Sequence, residues 1–166
     1  MKIYEKKYVK KPSDCTDFEI DSFYFLVLKG KKVQKKGLKE RIFNCELLAF
    51  YKLNESIVAI SAIKRPEESY RKKIIEKANL DRDYKDLLFE IGYSFTEENF
   101  RKNGFNSALK LLLLNSLKNL KGILFSTTAI SSSQKFLEKN GFVNLGIPYD
   151  GKNDKNIKYF EIKLDE

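Results

Sequence analysis

The chain has 166 residues, 42% apolar and 13% aromatic, which is enough for one domain with a buried core and too hydrophobic for a disordered segment. Histidine is missing altogether, which excludes Ser-His-Asp and Cys-His nucleophile activation, a histidine general base and histidine-type zinc sites, and leaves proton transfer to Asp, Glu, Tyr, Lys, Cys or water. The 32 Lys and Arg against 23 Asp and Glu give a net charge of +9, which favours anionic partners such as phosphates, nucleotide cofactors, RNA or acidic proteins without choosing among them. Cys15 and Cys45 are far apart and make no metal-ligand spacing, so they read as two reduced, partly buried thiols, and no metal is expected. No apolar run approaches the roughly 20 residues of a membrane span, and "MKIYEKKYVKKPSD" offers no signal-peptide core. A cytoplasmic protein without a membrane partner is the expectation.

In chain order, "KIYEKKYV" alternates as a first strand, and "DFEIDSFYFLVLKG" reads as a helix, with Phe18, Phe23, Leu26 and Val27 near helical spacing before Gly30. "GLKERIFNCE" follows as a second helix, and the basic run "KGKKVQKKGLKER" reads as a solvated loop and helix face in preference to a binding surface. "ELLAFYKLNESIVAISAIKRP" holds two β-prone runs split by Asn54 and Glu55, a hairpin signal. "PEESYRKKIIEKANL" carries Tyr70, Ile74, Ile75 and Ala78 at helical intervals behind a first-turn proline and acidic residues. The next strand is expected from Leu87 to Phe95.

A helix should then start near Gly104, carrying Leu109, Leu112, Leu113 and Leu117 on its buried face. "GILFSTTA" is a short strand, and "SSSQKFLEKNGF" a helix with serines available as N-cap and Gly141 as its stop. "FVNLGIPY" and "IKYFEIKL" flank the turn-rich "DGKNDKN" as a terminal hairpin. The element order makes an α/β domain with a mixed sheet, one domain over 1–166 with no repeat or linker.

The passage from the strand ending near Thr96 into the helix near Gly104 presents unpaired backbone N–H groups at the positive end of a helix dipole. Arg101 and Lys102 add full charges, and glycine lets the backbone come close to an anion. The stretch lacks the Gly-Lys-Ser/Thr ending of a Walker loop and the three-glycine dinucleotide fingerprint.

Taken together, the motifs resemble the GNAT N-acetyltransferase superfamily over essentially the whole chain. "RKNGFN" looks like that family's acetyl-CoA pyrophosphate loop, Arg/Gln-x-x-Gly-x-Gly/Ala, with Arg101 and Gly104 at the first two fixed positions. "LLFEIGYSFTEENF" looks like the strand that carries the pantetheine arm, and "SSSQKFLEKNGF" like the later helix that closes with Glu-Lys-x-Gly-Phe. "YRKKIIEKA" is similar to an extra helix in a bacterial GNAT subgroup.

The resemblance implies a GNAT-like α/β fold: a central mixed, mostly antiparallel, twisted sheet of about six to seven strands flanked by helices. It implies acetyl-CoA as co-substrate, bound by Tyr93, Ser94, Phe95 and Thr96 on the strand and by Arg101, Lys102, Asn103, Gly104, Phe105, Asn106 and Ser107 at the loop. Glu90, 11 residues before Arg101, stands where a glutamate in some family members acts as general base through water. A strand carboxylate desolvated on a sheet can take the proton of an ammonium substrate.

The departures from the pattern are Asn106 at the third loop position, Ile130 where the later helix often has asparagine, and Leu137 where many members have the tyrosine that protonates the leaving thiolate. Tyr149 and Tyr159 are then the candidate acids, unless water serves or the thiolate leaves unassisted.

The implied reaction is direct transfer of an acetyl group to a primary amine of a small molecule or peptide, by a monomer or homodimer, with no metal. Substrate contacts would come from "FYFLVLKGKKVQKKG", the Tyr70 helix and "PYDGKNDKN", although Asp150 and Asp154 there read first as turn residues. The alternatives are a non-catalytic acyl-CoA-binding GNAT-like module, or an acetyltransferase acting on aminoacyl-tRNA or another RNA-associated substrate. Nucleic acid is not favoured, because no face interleaves aromatics with the lysines.

Overall fold

The computed structural model describes residues 2–164; Met1, Asp165 and Glu166, the ends of the expected 1–166 domain, lie outside the described residues. Among the described residues there are five α-helices and seven strands, and the strands follow the hydrogen-bonded order β1-β2-β3-β4-β5-β7-β6. The expected mixed sheet is therefore present, with seven strands. The chain forms two compact units.

The first unit comprises residues 2–65 and 91–118. It holds β1 (Glu5–Lys10), α1 (Asp17–Lys29), α2 (Leu38–Phe43), β2 (Leu47–Leu53) and β3 (Ser56–Lys64). Most of β4 (Phe89–Thr96) and all of α4 (Phe105–Asn115) complete it. β1 pairs antiparallel with β2, and β2 with β3. The turn at Asn54 takes φ 52°, as a tight hairpin requires. Ile20, Phe23, Leu26 and Val27 form the buried stripe of α1, and Phe23 meets Phe50 and Tyr93 edge-on at 5.8 and 6.2 Å. Each fully buried side chain of this kind contributes about 1.5–3 kcal/mol.

α1 begins with a capping box: Thr16 Oγ1 accepts from the Glu19 N–H at 3.1 Å, and Glu19 Oε1 accepts from the Thr16 N–H at 2.9 Å. The same carboxylate accepts from the Tyr8 hydroxyl at 2.5 Å and from Lys10 Nζ at 2.9 Å, which ties β1 to the helix start. Burial pushes the Glu19 carboxyl up, but the Tyr8, Thr16 and Lys10 donors outweigh it and hold the group down at about 2, against an ordinary 4.5. A lowered folded value means that these interactions stabilise fully above pH 4.5 and lose their effect as pH falls towards 2. Between pH 6 and pH 3 the wild-type protein should lose about 2 kcal/mol more stability than Glu19→Gln in urea titrations. Equal acid sensitivity of the two proteins would contradict this.

The second unit comprises residues 66–90 and 119–164. It holds α3 (Glu68–Lys77), the start of β4, β5 (Gly122–Thr128), α5 (Ser131–Lys139), β6 (Val143–Tyr149) and β7 (Ile157–Leu164). β4 runs parallel to β5 through Phe89↔Leu124 and Glu90↔Phe125. β7 is antiparallel to both β5 and β6. Ile74, Ala78, Leu87, Ile123, Phe125 and Tyr159 make the core, with Phe125 stacked on Tyr159 at 5.7 Å.

α3 is pinned to β6: the Ile147 N–H donates to the Ala78 carbonyl at 2.8 Å, and Gly146 at φ 72° presses so close that a Cβ would lie 2.2 Å from that oxygen. No other residue type fits there. Among the described residues no helix is long and apolar enough to cross a membrane.

Candidate functional site

The first unit carries the loop expected to bind an anion. Within β4, Tyr93 is buried yet adopts φ 53°, a left-handed conformation uncommon for an aromatic residue inside a strand and typical of a bulge. Lys64 Nζ sits 4.3 Å from the centre of its ring, and its hydroxyl is pushed up by burial. Next along, Ser94 Oγ and Ser61 Oγ are 2.8 Å apart. The strand ends at Thr96, whose carbonyl accepts from Arg101 Nε at 3.0 Å, while the Arg101 guanidinium lies 5.5 Å from the Phe95 ring. Arg101 is thus held by its Nε edge and stacked, which fixes where its charge stands.

Asn103 braces the loop by donating from Nδ2 to the Phe100 and Arg101 carbonyls at 3.0 and 3.3 Å. Lys102 at φ 65° and Gly104 at φ 75° both turn left-handed, and Gly104 is the N-cap of α4 with no side-chain cap. The Gly104 carbonyl accepts the Ala108 N–H at 3.0 Å, so the N–H groups of Phe105, Asn106 and Ser107 are the first-turn donors that no carbonyl within the helix can accept. A Cβ on Gly104 would meet nothing within 4 Å. The glycine is therefore required by its backbone angle, and the space beside it is open.

α4 is fixed behind this loop by Leu109 and Leu113, both buried, and by Phe105, which stacks on Tyr51 at 4.0 Å. Asn106, the departure from the loop pattern, turns inward: its Nδ2 donates to the Ile60 carbonyl at 3.4 Å. The side chain helps seat α4 on β3 and leaves its main-chain N–H at the helix start.

The second unit carries the carboxylate. Glu90, only 3% exposed, accepts from the Tyr70 hydroxyl through Oε2 at 2.7 Å. Tyr70 and Tyr149 both reach the Thr127 hydroxyl. Burial first, and then the Glu90 charge, hold the Tyr70 hydroxyl well above its ordinary value. Burial likewise pushes Tyr149 up to about 12, the Thr127 hydrogen bond pulling it back and Glu90 adding to the rise, so Tyr149 keeps its proton at neutral pH.

On the far side of β5, Phe125 is opposite Glu161. Glu161 is gripped by two Arg82 nitrogens, Nε at 2.7 Å to Oε1 and Nη2 to Oε2, and accepts from the Tyr159 hydroxyl at 3.0 Å.

Two expectations are corrected here, the reach of Tyr159 and the serine cap of α5. Tyr159 is fully buried and its hydroxyl is committed to Glu161, so it cannot reach a leaving group and only Tyr149 keeps an exposed edge. The serines of α5 do not cap it: the N-cap is Ile130, whose N–H donates to Thr128 Oγ1 at 3.0 Å, and Gln134 donates to the Thr128 carbonyl at 3.1 Å. Leu137 is 1% exposed, a core residue of α5. Asp150 closes its own turn by accepting the Asn156 N–H at 3.0 Å, as a turn residue does.

Tyr70 is the residue that sequence reasoning missed as a partner of Glu90. It lies 20 positions away, and its only signal was a polar-tipped ring at an apolar helix position.

No family model matches the sequence, and no curated protein does. Solved structures do match. An acyl-CoA N-acyltransferase from Pseudomonas aeruginosa superposes with a TM-score of 0.67 at 13% identity, over 95% of this chain and 99% of that one. The ribosomal-protein-S18-alanine N-acetyltransferase of Escherichia coli gives 0.67 at 10% identity, over 97% and 96%. An N-acetyltransferase from Staphylococcus aureus gives 0.61 at 15%, over 98% of each. A GNAT-family acetyltransferase from Bacillus cereus is also among the matches, with a TM-score of 0.60 at 17% identity over 97% and 99%. With its seven-stranded, mostly antiparallel mixed sheet and flanking helices, the chain has the fold of the GNAT N-acetyltransferases.

Proposed function

We propose that the protein is an acetyl-CoA-dependent N-acetyltransferase that modifies a primary amine by direct transfer. The observation that carries this reading is the left-handed Gly104 at the head of α4, with open space where a Cβ would stand and Arg101 held alongside. A first helical turn of unpaired N–H groups together with a fixed guanidinium suits a pyrophosphate. Arg101, Lys102 and the main-chain N–H groups of Asn103 to Ser107 would hold it, and the strand from Tyr93 to Thr96 would hold the pantetheine arm. When bound, acetyl-CoA supplies the acetyl group as a thioester, whose thiolate is a fair leaving group.

Glu90 takes a proton from the acceptor ammonium, which makes the amine a nucleophile. A main-chain N–H of Tyr93 to Phe95 donates to the oxygen on which negative charge develops. The thiolate, a fair leaving group, departs unassisted, and Tyr149, pushed up to about 12, keeps its proton. Nothing in this sequence of steps needs a covalent intermediate on the protein.

The acceptor classes to test follow from amine chemistry, and the name of the Escherichia coli neighbour adds a peptide α-amine beginning with alanine. Release of the coenzyme A thiol from acetyl-CoA, followed over a panel of small primary amines, amino acids and alanine-initiated peptides, should rise well above the rate in buffer for one class. Stabilisation by acetyl-CoA without turnover of any amine would instead support an acyl-CoA-binding module.

A further inference from the structure

Two buried carboxylates lie in one register line of the second unit, Glu90 on β4 and Glu161 on β7, with Phe125 of β5 opposite each of them. The fold treats them differently. Glu161 is gripped by a full cation, the forked Arg82 guanidinium, and by the Tyr159 hydroxyl, so its charge is offset and its orientation locked. Glu90 accepts from the Tyr70 hydroxyl, which fixes its Oε2.

That phenol is well supported. α3 is sewn to β6 through the Ala78 carbonyl and the glycine-only approach of Gly146, Lys77 Nζ donates to the Asp150 carbonyl at 3.3 Å, and Ile74 and Ala78 pack with Phe125 and Tyr159. α3 has no side-chain N-cap, and its exposed residues are strongly polar, so its position comes from these tertiary contacts.

We propose that Tyr70 is a positioning residue: from α3 its hydroxyl holds Glu90 Oε2 at 2.7 Å and sets the carboxylate in the one orientation that meets the acceptor amine. The proposal rests on the reading of Glu90 as the base. It gives α3 a task beyond covering the sheet, because a carboxylate swung about its last bond would present its oxygens in the wrong plane for proton transfer. Thr127 on β5 and Tyr149 on β6 lie beside the pair, and Thr127 also reaches the Tyr70 hydroxyl, so that the donor as well as the acceptor is held.

The test is a double-mutant cycle of Tyr70→Phe and Glu90→Gln. Turnover is measured by coenzyme A release with the best amine of the panel and scaled to active sites counted by acetyl-CoA binding, so that loss of folded protein does not register. Tyr70→Phe should lower kcat about tenfold while the KM for acetyl-CoA stays within about twofold, and in the Glu90→Gln background it should change kcat no further. An unchanged kcat, or the same penalty in both backgrounds, overturns the positioning role while leaving Glu90 as the base. Wild-type turnover in Glu90→Gln, or no turnover of any amine by the wild type, overturns the base assignment and the proposal together.

Discussion

Glu90→Gln is expected to lower kcat by about 10²–10⁴-fold, the usual contribution of a general base, with acetyl-CoA affinity unchanged. Glutamine has the shape of glutamate, and its amide oxygen still accepts from the Tyr70 hydroxyl, so the packing around Phe125 is preserved and the proton-accepting capacity alone is removed. Glu90→Asp keeps the charge but draws it back by one methylene, away from Tyr70, and should fall between the two. Coenzyme A release under saturating acetyl-CoA reads the effect directly. A Glu90→Gln protein turning over within a few-fold of wild type would mean that water or another group takes the proton.

Gly104→Val should raise the KM for acetyl-CoA by roughly 10–100-fold, with a smaller effect on kcat. Two causes combine. A β-branched residue at φ 75° costs about 1–3 kcal/mol of backbone strain, which either destabilises the fold or straightens the loop. Its methyl groups would also enter the open space beside the helix start, and each charge-assisted N–H hydrogen bond to the pyrophosphate that they block there costs about 1.5–3 kcal/mol. Gly104→Ala carries a smaller share of both causes, because a single Cβ at φ 75° costs about 1–2 kcal/mol and meets no protein atom within 4 Å. If the alanine variant unfolds near wild type yet binds acetyl-CoA more weakly, the space beside Gly104 belongs to the ligand. Wild-type KM in both variants would remove the loop from the binding site.

Elements whose signal is local were legible in the sequence. α1 runs over the stretch that the spacing of Phe18, Phe23, Leu26 and Val27 marked out, with Phe18 exposed at its start, and the hairpin turns at Asn54 with the positive φ that asparagine tolerates. α4 begins at Phe105, directly after the glycine that stands as its N-cap, because the left-handed angle there suits a residue without a Cβ.

The deviations all come from partners distant in sequence or from competing turns. The first strand was expected from Lys2 but starts at Glu5, since the Tyr4 N–H and carbonyl pair with Asn54. β4 starts at Phe89 instead of Leu87, because Asp83 caps a 3-10 turn over Tyr84–Asp86 and buries Leu87 beneath it.

The site divides along the same line. The loop from Arg101 to Ser107 could be read from residue types, because a helix start, a glycine and two cations are local features. The inward turn of Asn106 depends on the Ile60 carbonyl, 46 residues away, and the Tyr70 hydrogen bond depends on how α3 lies on the sheet. No pattern within a window of one helix reports either. The replacement of an expected tyrosine by Leu137 was visible, whereas the choice between Tyr149 and Tyr159 required knowing that Glu161 takes the second.

Every proposed step depends on acetyl-CoA binding at the α4 loop, and the shift in unfolding temperature on adding acetyl-CoA reports that binding without needing the acceptor. At about 100 times its dissociation constant the ligand should stabilise the protein by roughly 2.7 kcal/mol, equivalent to about 5–10 °C for a domain of this size, and Gly104→Val should abolish most of the shift. An unfolding temperature that does not move at millimolar acetyl-CoA would rule out the acetyltransferase reading.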